Sequence, residues 1–118
     1  MYFTSTLVGA GISATEATFK VHDSVAGNGA GVQKITSLTA KGGTSTATVY
    51  YGDATVVSRD TFTFGAPDAK GIIPLAGHGK DIRGTGKLKH LTSNYTFSGT
   101  FDPKTTIIHA ALSGTESY

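Results

Sequence analysis

Apolar and polar residues alternate along most of this chain with a period of two, which is typical of half-buried β-strands. Residues 55–64 show the pattern most clearly, because Val56, Phe62 and Phe64 fall on one face and threonines and Arg59 fall on the other. Comparable runs recur at short intervals, separated by turn-forming residues. The predicted strands are residues 2–8, 14–23, 32–40, 44–51, 55–64, 71–76, 93–101 and 105–113.

Glycine and proline supply the predicted boundaries between these strands. Gly52-Asp53 has the composition of a two-residue hairpin turn, since glycine accepts the positive φ of a type II′ turn. The glycine cluster at residues 27–31 predicts a loop or bulge, and the glycines at 77–79 and 84–86 are interpreted as turn and bulge residues. Pro74 lacks a backbone donor, which favours an edge or bulge position.

The number and spacing of the runs indicate one all-β domain over residues 1–118. We count eight or nine strands, no convincing helix and no long linker, and we expect a bulge within residues 32–40. Regularly spaced strands with turn residues between them are typical of a barrel or a sandwich. We therefore predict an antiparallel β-barrel of eight strands, or nine.

The amino-acid composition argues against a disordered chain and against a nucleic-acid-binding protein. The 6 Phe and 5 Tyr follow the alternating pattern, and charged residues make up only 15% of the chain, which argues against disorder. The net charge is +2, and basic residues are scattered rather than gathered into a stripe. The densest group, Lys80, Arg83, Lys87 and Lys89, is interrupted by Asp81 and is interpreted as a solvated turn. We expect no nucleic-acid partner.

The cysteine content and the hydropathy of the chain are compatible with two cellular locations. The chain has no cysteine, which excludes disulfides and thiolate zinc sites without indicating a redox environment. No apolar run approaches the length of a membrane-spanning helix, so we expect no membrane partner. The protein is either cytoplasmic or secreted with its leader removed.

The glycine punctuation of the second half resembles that of a known group of barrels. The residues that carry this likeness are Gly84-Thr85-Gly86-Lys87-Leu88, Tyr95, Phe97, Gly99 and Gly114. Over residues 20–115 the chain resembles the dirigent/allene oxide cyclase barrel superfamily. The resemblance implies an eight-stranded barrel with an apolar lumen, a dimer or trimer, no metal or organic cofactor, and a reactive substrate held in a chosen shape. No catalytic residue of that family can be transferred to this sequence.

Asp60 is the most informative ionisable residue. It shares its predicted strand face with Val56, Phe62 and Phe64. If that face lines the lumen, desolvation would raise the pKa of Asp60 and suit it to proton transfer. Alternatively, a bulge turns the side chain outward or a basic residue pairs with it. We predict Asp60 and Tyr51 as the catalytic residues, with the tyrosine hydroxyl assisting proton movement.

Aromatic residues and one histidine are the candidate ligand contacts in the lumen. In the alternative interpretation the aromatic residues simply fill the core, as side chains do in many small barrels. The predicted ligand-binding residues are Tyr50, Phe62, Phe64, Tyr95, Phe97, Phe101 and His109.

The four histidines do not predict a metal site. His22, His78, His90 and His109 lack the short spacings of paired ligands on one strand face, so we predict no metal. His109 could act as a base or contact a ligand, but a histidine at the surface or at an interface is the simpler interpretation.

The preferred hypothesis is a cofactor-free barrel that binds an apolar or aromatic small molecule and steers its cyclisation or isomerisation by shape. We expect it to self-associate as a dimer or trimer. The alternative is a non-catalytic binding or structural protein with the same barrel and a filled core. A carbohydrate-binding sandwich is a third option, which the absence of tryptophan disfavours.

Overall fold

The computed structural model describes all residues from 1 to 118 and consists of eight antiparallel strands. Each strand pairs with its neighbours in sequence, and the last strand pairs with the first, so the sheet closes into a barrel without edges. The predicted fold class is confirmed, with eight strands rather than nine. The strands are β1 (Tyr2–Gly11), β2 (Glu16–Asp23), β3 (Gly27–Thr39), β4 (Gly42–Tyr51), β5 (Ala54–Phe64), β6 (Ile73–Gly84), β7 (Thr92–Phe101) and β8 (Ile107–Ser117), with a single-turn 3-10 helix at Gly86–Leu88.

Alternating burial follows directly from the period-two pattern of the sequence. In β5, Val56, Asp60 and Phe62 are buried inside the barrel, whereas Arg59 and Thr61 are exposed on its outer face. The side-chain faces predicted for this strand are therefore confirmed. Along the strands, inward residues are buried or half-buried and alternate with exposed ones, so a slip of one residue would turn the interior set outward, and this constraint determines the register.

Two local predictions are confirmed. The strands β4 and β5 pair up to Tyr51 and Ala54, so Gly52-Asp53 forms a two-residue hairpin turn, and Gly52 has φ +66°. A bulge interrupts the pairing of β3 with β4 between Ile35 and Ser37, within the segment where one was expected. A bulge bends its strand, which helps a sheet to close.

Other glycines lie within strands, and the turns predicted there are wrong. Residues 27–31 begin β3, residues 77–79 lie in the middle of β6, and β8 continues through Gly114 to Ser117. The predicted break after residue 8 is also absent, because β1 runs on to Gly11. Pro74 lies near the start of β6, where its missing donor matters little, rather than on an edge.

The inward-facing glycines of these strands lie against aromatic rings inside the barrel, which explains their positions. Phe19 on β2 is paired with Gly9 on one side and Gly31 on the other. A Cβ on Gly31 would lie 2.5 Å from Phe19 Cζ, so any other residue would displace the ring. Phe97 lies against Gly77 in the same way. The glycines thus make room for large inward side chains in a narrow barrel.

One end of the barrel is closed by the connection between β6 and β7. Leu88 and Leu91 of this connection are buried against Ala54 and Val56 at the start of β5, and Tyr51 packs on the same cluster. We call this end of the barrel the floor. The opposite end, where β1, β3, β5 and β7 end and β2, β4, β6 and β8 begin, is called the mouth.

Candidate ligand site in the barrel lumen

The interior of the barrel contains a cavity of about 390 Å³. Its wall is mainly apolar and includes Leu7, Phe19, Ile35, Phe62 and Phe97. Residues of the mouth, such as Leu38 and Phe64, also line it. Its volume lies within the range of about 300–1,000 Å³ that is typical of small-molecule sites. The lumen is therefore not filled by its own side chains.

The buried acidic side chains of the barrel interior are concentrated near the floor, whereas Glu16, which also lines the cavity, is half-buried at the mouth. Asp60 is only 9% exposed, Asp23 and Glu116 are each 7% exposed, and Asp81 is partly buried. Asp23, Asp60 and Asp81 line the cavity itself. We call these four carboxylates the acidic floor. They lie on β2, β5, β6 and β8, so only the closed barrel brings them together.

Asp60 forms a hydrogen bond with Tyr95. The Tyr95 hydroxyl donates to Asp60 Oδ1, and Ser58 Oγ donates to Asp60 Oδ2 over 3.3 Å. Gly79 pairs with both Asp60 and Tyr95 across the sheet, and a Cβ at this position would overlap both of their polar atoms. Burial raises the pKa of Asp60 to about 6, although the hydrogen bonds from Tyr95 and Ser58 oppose the rise. A carboxyl group with such a pKa can both accept and donate a proton near neutral pH.

Tyr95 is held in place on several sides. Its register partners are Gly79 on β6 and Gly114 on β8. Its ring packs edge-on against Phe3, with ring centroids 6.2 Å apart. Burial, together with the negative charge of Asp60, raises the pKa of Tyr95, so the hydroxyl remains protonated and acts as a hydrogen-bond donor.

Asp81 points to the interior by regular alternation with Gly77 and Gly79, and a second bulge follows it in β6. The pairing of β5 with β6 shifts between Val57 and Ser58, which leaves Ile82 as an extra residue on β6. Ser93 Oγ on β7 donates to Asp81 Oδ2 over 2.7 Å and accepts from the Asp81 amide over 3.1 Å. Burial raises the pKa of Asp81, and the nearby carboxylate of Asp23 raises it further.

The other two carboxylates are also hydrogen-bonded. Asp23 accepts from Ser5 Oγ and from the backbone amides of Val25 and Ala26, both at 2.8 Å, and so organises the turn between β2 and β3. The Tyr118 hydroxyl donates to Glu116 Oε1 over 3.0 Å. Burial raises the pKa of Glu116. No lysine or arginine is among the groups that shift the pKa of Asp60, Asp81 or Glu116.

The structure places both predicted catalytic residues in the lumen but does not join them. Tyr51 lies near the floor, and its pKa is raised first by burial and then by Asp23, Asp81 and Glu116. Its hydroxyl makes no hydrogen bond to Asp60, whose tyrosine partner is Tyr95. The tyrosine that contacts Asp60 is therefore Tyr95, which was predicted as a ligand contact.

Five of the predicted ligand contacts line the lumen and two do not. Tyr50 is 52% exposed on the outer face, because its neighbour Tyr51 is the inward residue of β4. His109 is likewise exposed, since the inward positions of β8 are Ile108 and Ala110. The prediction that these two residues contact a ligand in the lumen is wrong. The five that line it are Phe62, Phe64, Tyr95, Phe97 and Phe101.

Three floor residues were missed, although the sequence held a signal for each. Asp23 continues the inward face of Val21, and Asp81 continues that of Gly77 and Gly79 once these are recognised as strand residues. Glu116 was beyond the predicted end of the last strand. The error common to the last two was to interpret strand glycines as turns.

The four floor carboxylates do not form a metal site. No group of three or more His, Cys, Asp or Glu side chains is arranged to hold a metal ion. The chain also contains no helix long and apolar enough to cross a membrane.

Comparison with known proteins returned no match: no family model, no curated protein and no solved structure is significantly similar to this chain.

The raised pKa of Asp60 predicts that acid stabilises the fold. In the unfolded chain Asp60 titrates near its ordinary pKa of 3.8, and in the folded chain near 6, so between these values the folded state binds more protons. The free energy of unfolding should therefore fall as the pH rises from about 4 to about 6, with about 3 kcal/mol attributable to Asp60. Asp81 and Glu116 change it in the same direction.

Urea denaturation at a series of pH values measures this dependence. Asp60→Asn keeps an acceptor for Tyr95 and should lose most of the Asp60 contribution, while the exposed hairpin variant Asp53→Asn should behave like the wild type. A wild-type stability that rises over this interval, or an Asp60→Asn profile parallel to it, would contradict the burial of an uncompensated Asp60.

Proposed function

We propose that this protein binds an apolar or aromatic small molecule in its lumen and steers the cyclisation or isomerisation of that molecule. The observation that carries the proposal is the apolar cavity of about 390 Å³ with Asp60 and its partner Tyr95 near the floor. The mouth offers an entry route for the apolar body, and the floor offers polar groups to the reacting end. The proposal requires no cofactor.

Confinement is the main contribution that such a lumen makes to a reaction. A flexible molecule between Phe19, Phe62 and Phe97 would be restricted to a few compact conformers. Holding reacting atoms in a near-attack geometry can contribute about 7–11 kcal/mol in the most favourable cases. A rigid barrel wall suits this role, because the strands are fixed by backbone hydrogen bonds on both sides.

Asp60 would move the proton. As a carboxylate it accepts a proton from an acidified position of the bound molecule, and as the carboxylic acid it returns that proton to another atom of the same molecule. The product is an isomer of the substrate, so atoms and charge balance without a co-reactant. Tyr95 positions Asp60 through Oδ1 and leaves Oδ2, which Ser58 approaches only at 3.3 Å, to face the ligand.

A non-catalytic carrier is the second candidate. All four floor carboxylates have hydrogen-bond partners within the protein, which is also what a purely structural floor would show. The cavity disfavours the version of this hypothesis in which side chains fill the core.

Blocking the lumen should abolish binding of an apolar probe. Ala110 on β8 faces the cavity and Ala111 faces outward, so the pair Ala110→Phe and Ala111→Phe adds the same ring inside or outside the barrel. With N-phenyl-1-naphthylamine, an apolar dye that is neutral at pH 7, we expect saturable fluorescence enhancement in the wild type and in Ala111→Phe, and little or none in Ala110→Phe. Binding that is equal in all three, or absent from the wild type, would contradict a ligand-accessible lumen.

Catalysis is tested by the ligand that the protein retains in its native host. Native mass spectrometry of the purified protein should identify a bound small molecule, which is then incubated with wild type and Asp60→Asn. A proton-transfer role predicts an isomeric product and, at a saturating concentration of that molecule, a turnover about 10²–10⁴-fold lower in Asp60→Asn. Equal turnover would remove Asp60 from the mechanism, and a bound molecule that never changes would favour the carrier.

We also propose that the barrel self-associates through one side of its outer surface. A groove of about 560 Å³ crosses the outer face of β1, β2 and β3. The opposite outer face, on β5 and β7, consists mainly of threonine, serine and other polar residues. A contiguous exposed apolar surface is typical of interaction sites. The apolar residues of the groove are Val8, Ala10, Ala30, Val32, Tyr50 and Ile107.

A charge placed in the groove should dissociate the oligomer. Val8 is 50% exposed in the groove, and Thr61 is exposed on the polar face of β5. By light scattering coupled to size-exclusion chromatography, wild type and Thr61→Lys should elute as a dimer or trimer and Val8→Lys as a monomer. A monomeric wild type would contradict self-association, and an oligomeric Val8→Lys would exclude this surface as the interface.

A further inference from the structure

Charge is strongly separated between the inside and the outside of this barrel. All ten lysine and arginine side chains and all four histidines are exposed. In contrast, four of the eight acidic residues form the floor, three of them less than 10% exposed. The chain therefore has a positive exterior and a negative interior, although its net charge is only +2.

The lumen offers hydrogen-bond acceptors and very few free donors. Among its lining side chains, only the amide of Gln33 carries N–H donors, and this amide donates to Ser45 Oγ over 3.0 Å. The hydroxyls of Ser5 and Tyr95 already donate to Asp23 and Asp60, and Ser93, which lies behind Asp81, donates to that carboxylate. The Tyr51 hydroxyl makes no hydrogen bond within the protein and is the free donor near the floor. An ionised carboxylate has about four acceptor sites, and Asp60 receives only two donors. The cavity therefore has acceptor capacity that the protein does not satisfy.

Burying carboxylates without a counter-charge is costly, and the protein bears that cost in a cavity that is otherwise apolar. A bound cation would supply the missing charge and the missing donors together. An anionic ligand would add a like charge to the floor, and a neutral one would leave it uncompensated. If the cavity takes a ligand, as proposed above, its charge and donor inventory indicate which kind.

We infer that the ligand of the lumen is a protonated amine with an apolar or aromatic body, its ammonium group on the acidic floor and its body towards the mouth. This inference deepens the proposed function and rests on it, because it assumes that the lumen takes a small molecule. The ammonium group donates to Asp60 and Asp81, and the rings of Tyr51 and Tyr95 provide aromatic surface at the same depth.

Binding of a cation should release protons from the floor. The groups that bear on Asp60 are Ser58 on its own strand, Asp81 and His78 on β6, and Tyr95 on β7. His78 is exposed on the outer face, and the N-terminal ammonium of Met1 bears on Glu116 from outside the cavity lining. The lining itself contains no basic side chain. An ammonium ion favours the ionised form of the carboxylates, which links amine binding to deprotonation near pH 6.

A matched set of three probes tests the inference by isothermal titration calorimetry at pH 7.5. The probes are 4-phenylbutylamine, 4-phenylbutanol and 4-phenylbutyrate, which share one body and differ in the charge of the head group. We expect the amine to bind at least about tenfold more tightly than the alcohol, and the carboxylate to bind more weakly than the alcohol.

Floor variants should affect only the amine. Asp60→Asn and Asp81→Asn should each lower its affinity by about tenfold and leave that of the alcohol unchanged, whereas the exposed control Asp53→Asn should change neither. Should the floor variants fail to fold, the wild type alone decides. At pH 6, titrations in two buffers of different ionisation enthalpy should reveal proton release with the amine and none with the alcohol.

The outcomes separate this inference from the function on which it rests. Equal affinities for amine and alcohol, or a preference for the carboxylate, would overturn the inference. If the lumen still binds N-phenyl-1-naphthylamine in that case, the proposed function is upheld. Failure of every probe, the dye included, would overturn both. Amine binding that Ala110→Phe does not reduce would place the amine outside the lumen and also overturn the inference.

Discussion

The hydrogen bond from Tyr95 to Asp60 depends on the absence of a side chain at Gly79, and the rest of the lumen follows the same constraint. Eight strands enclose an interior just wide enough to be filled by side chains. Here glycines on neighbouring strands leave room for inward aromatic rings, as Gly9 and Gly31 do for Phe19. The rings therefore lie along the wall, and space remains along the axis.

Closure of this narrow barrel also determines where polar groups can lie. Closure of the barrel brings carboxylates from four strands to one end, where the buried leucines of the β6–β7 connection limit access to water. Hydrogen bonds from serine and tyrosine hydroxyls make this burial tolerable without neutralising it. The protein thus keeps charge in a place where hydrophobic residues would be more stabilising, which is typical of sites that are retained for function.

Much of the fold could be predicted from the sequence because period-two alternation is a local property. The inward face of β5, including Asp60, and the hairpin at Gly52-Asp53 depend only on neighbouring residues. The glycine-rich strands could not be predicted in the same way. Gly77 and Gly79 resemble turn residues until their partners Phe97 and Tyr95 on the next strand are known.

In the candidate site, too, features that depend on neighbouring residues could be predicted, and features that depend on the closed sheet could not. The position of Asp60 in the lumen followed from alternation alone, but its pairing with Tyr95 joins residues 35 positions apart and required the closed sheet. Tyr50 and Tyr51 illustrate the opposite difficulty, because adjacent tyrosines can be distinguished only by knowing which strand face turns inward. The floor as a whole is a product of topology, since its members come from both ends of the chain.

The most direct test of this account is the pKa of Asp60, measured by carbon-detected NMR titration of its side-chain carboxyl group. We expect a midpoint near 6, and a higher one in Tyr95→Phe, because the tyrosine hydrogen bond stabilises the carboxylate. A midpoint near the ordinary value of 3.8, unchanged by Tyr95→Phe, would mean that Asp60 is solvated and unpaired. Such a result would contradict the lumen and the functions proposed for it.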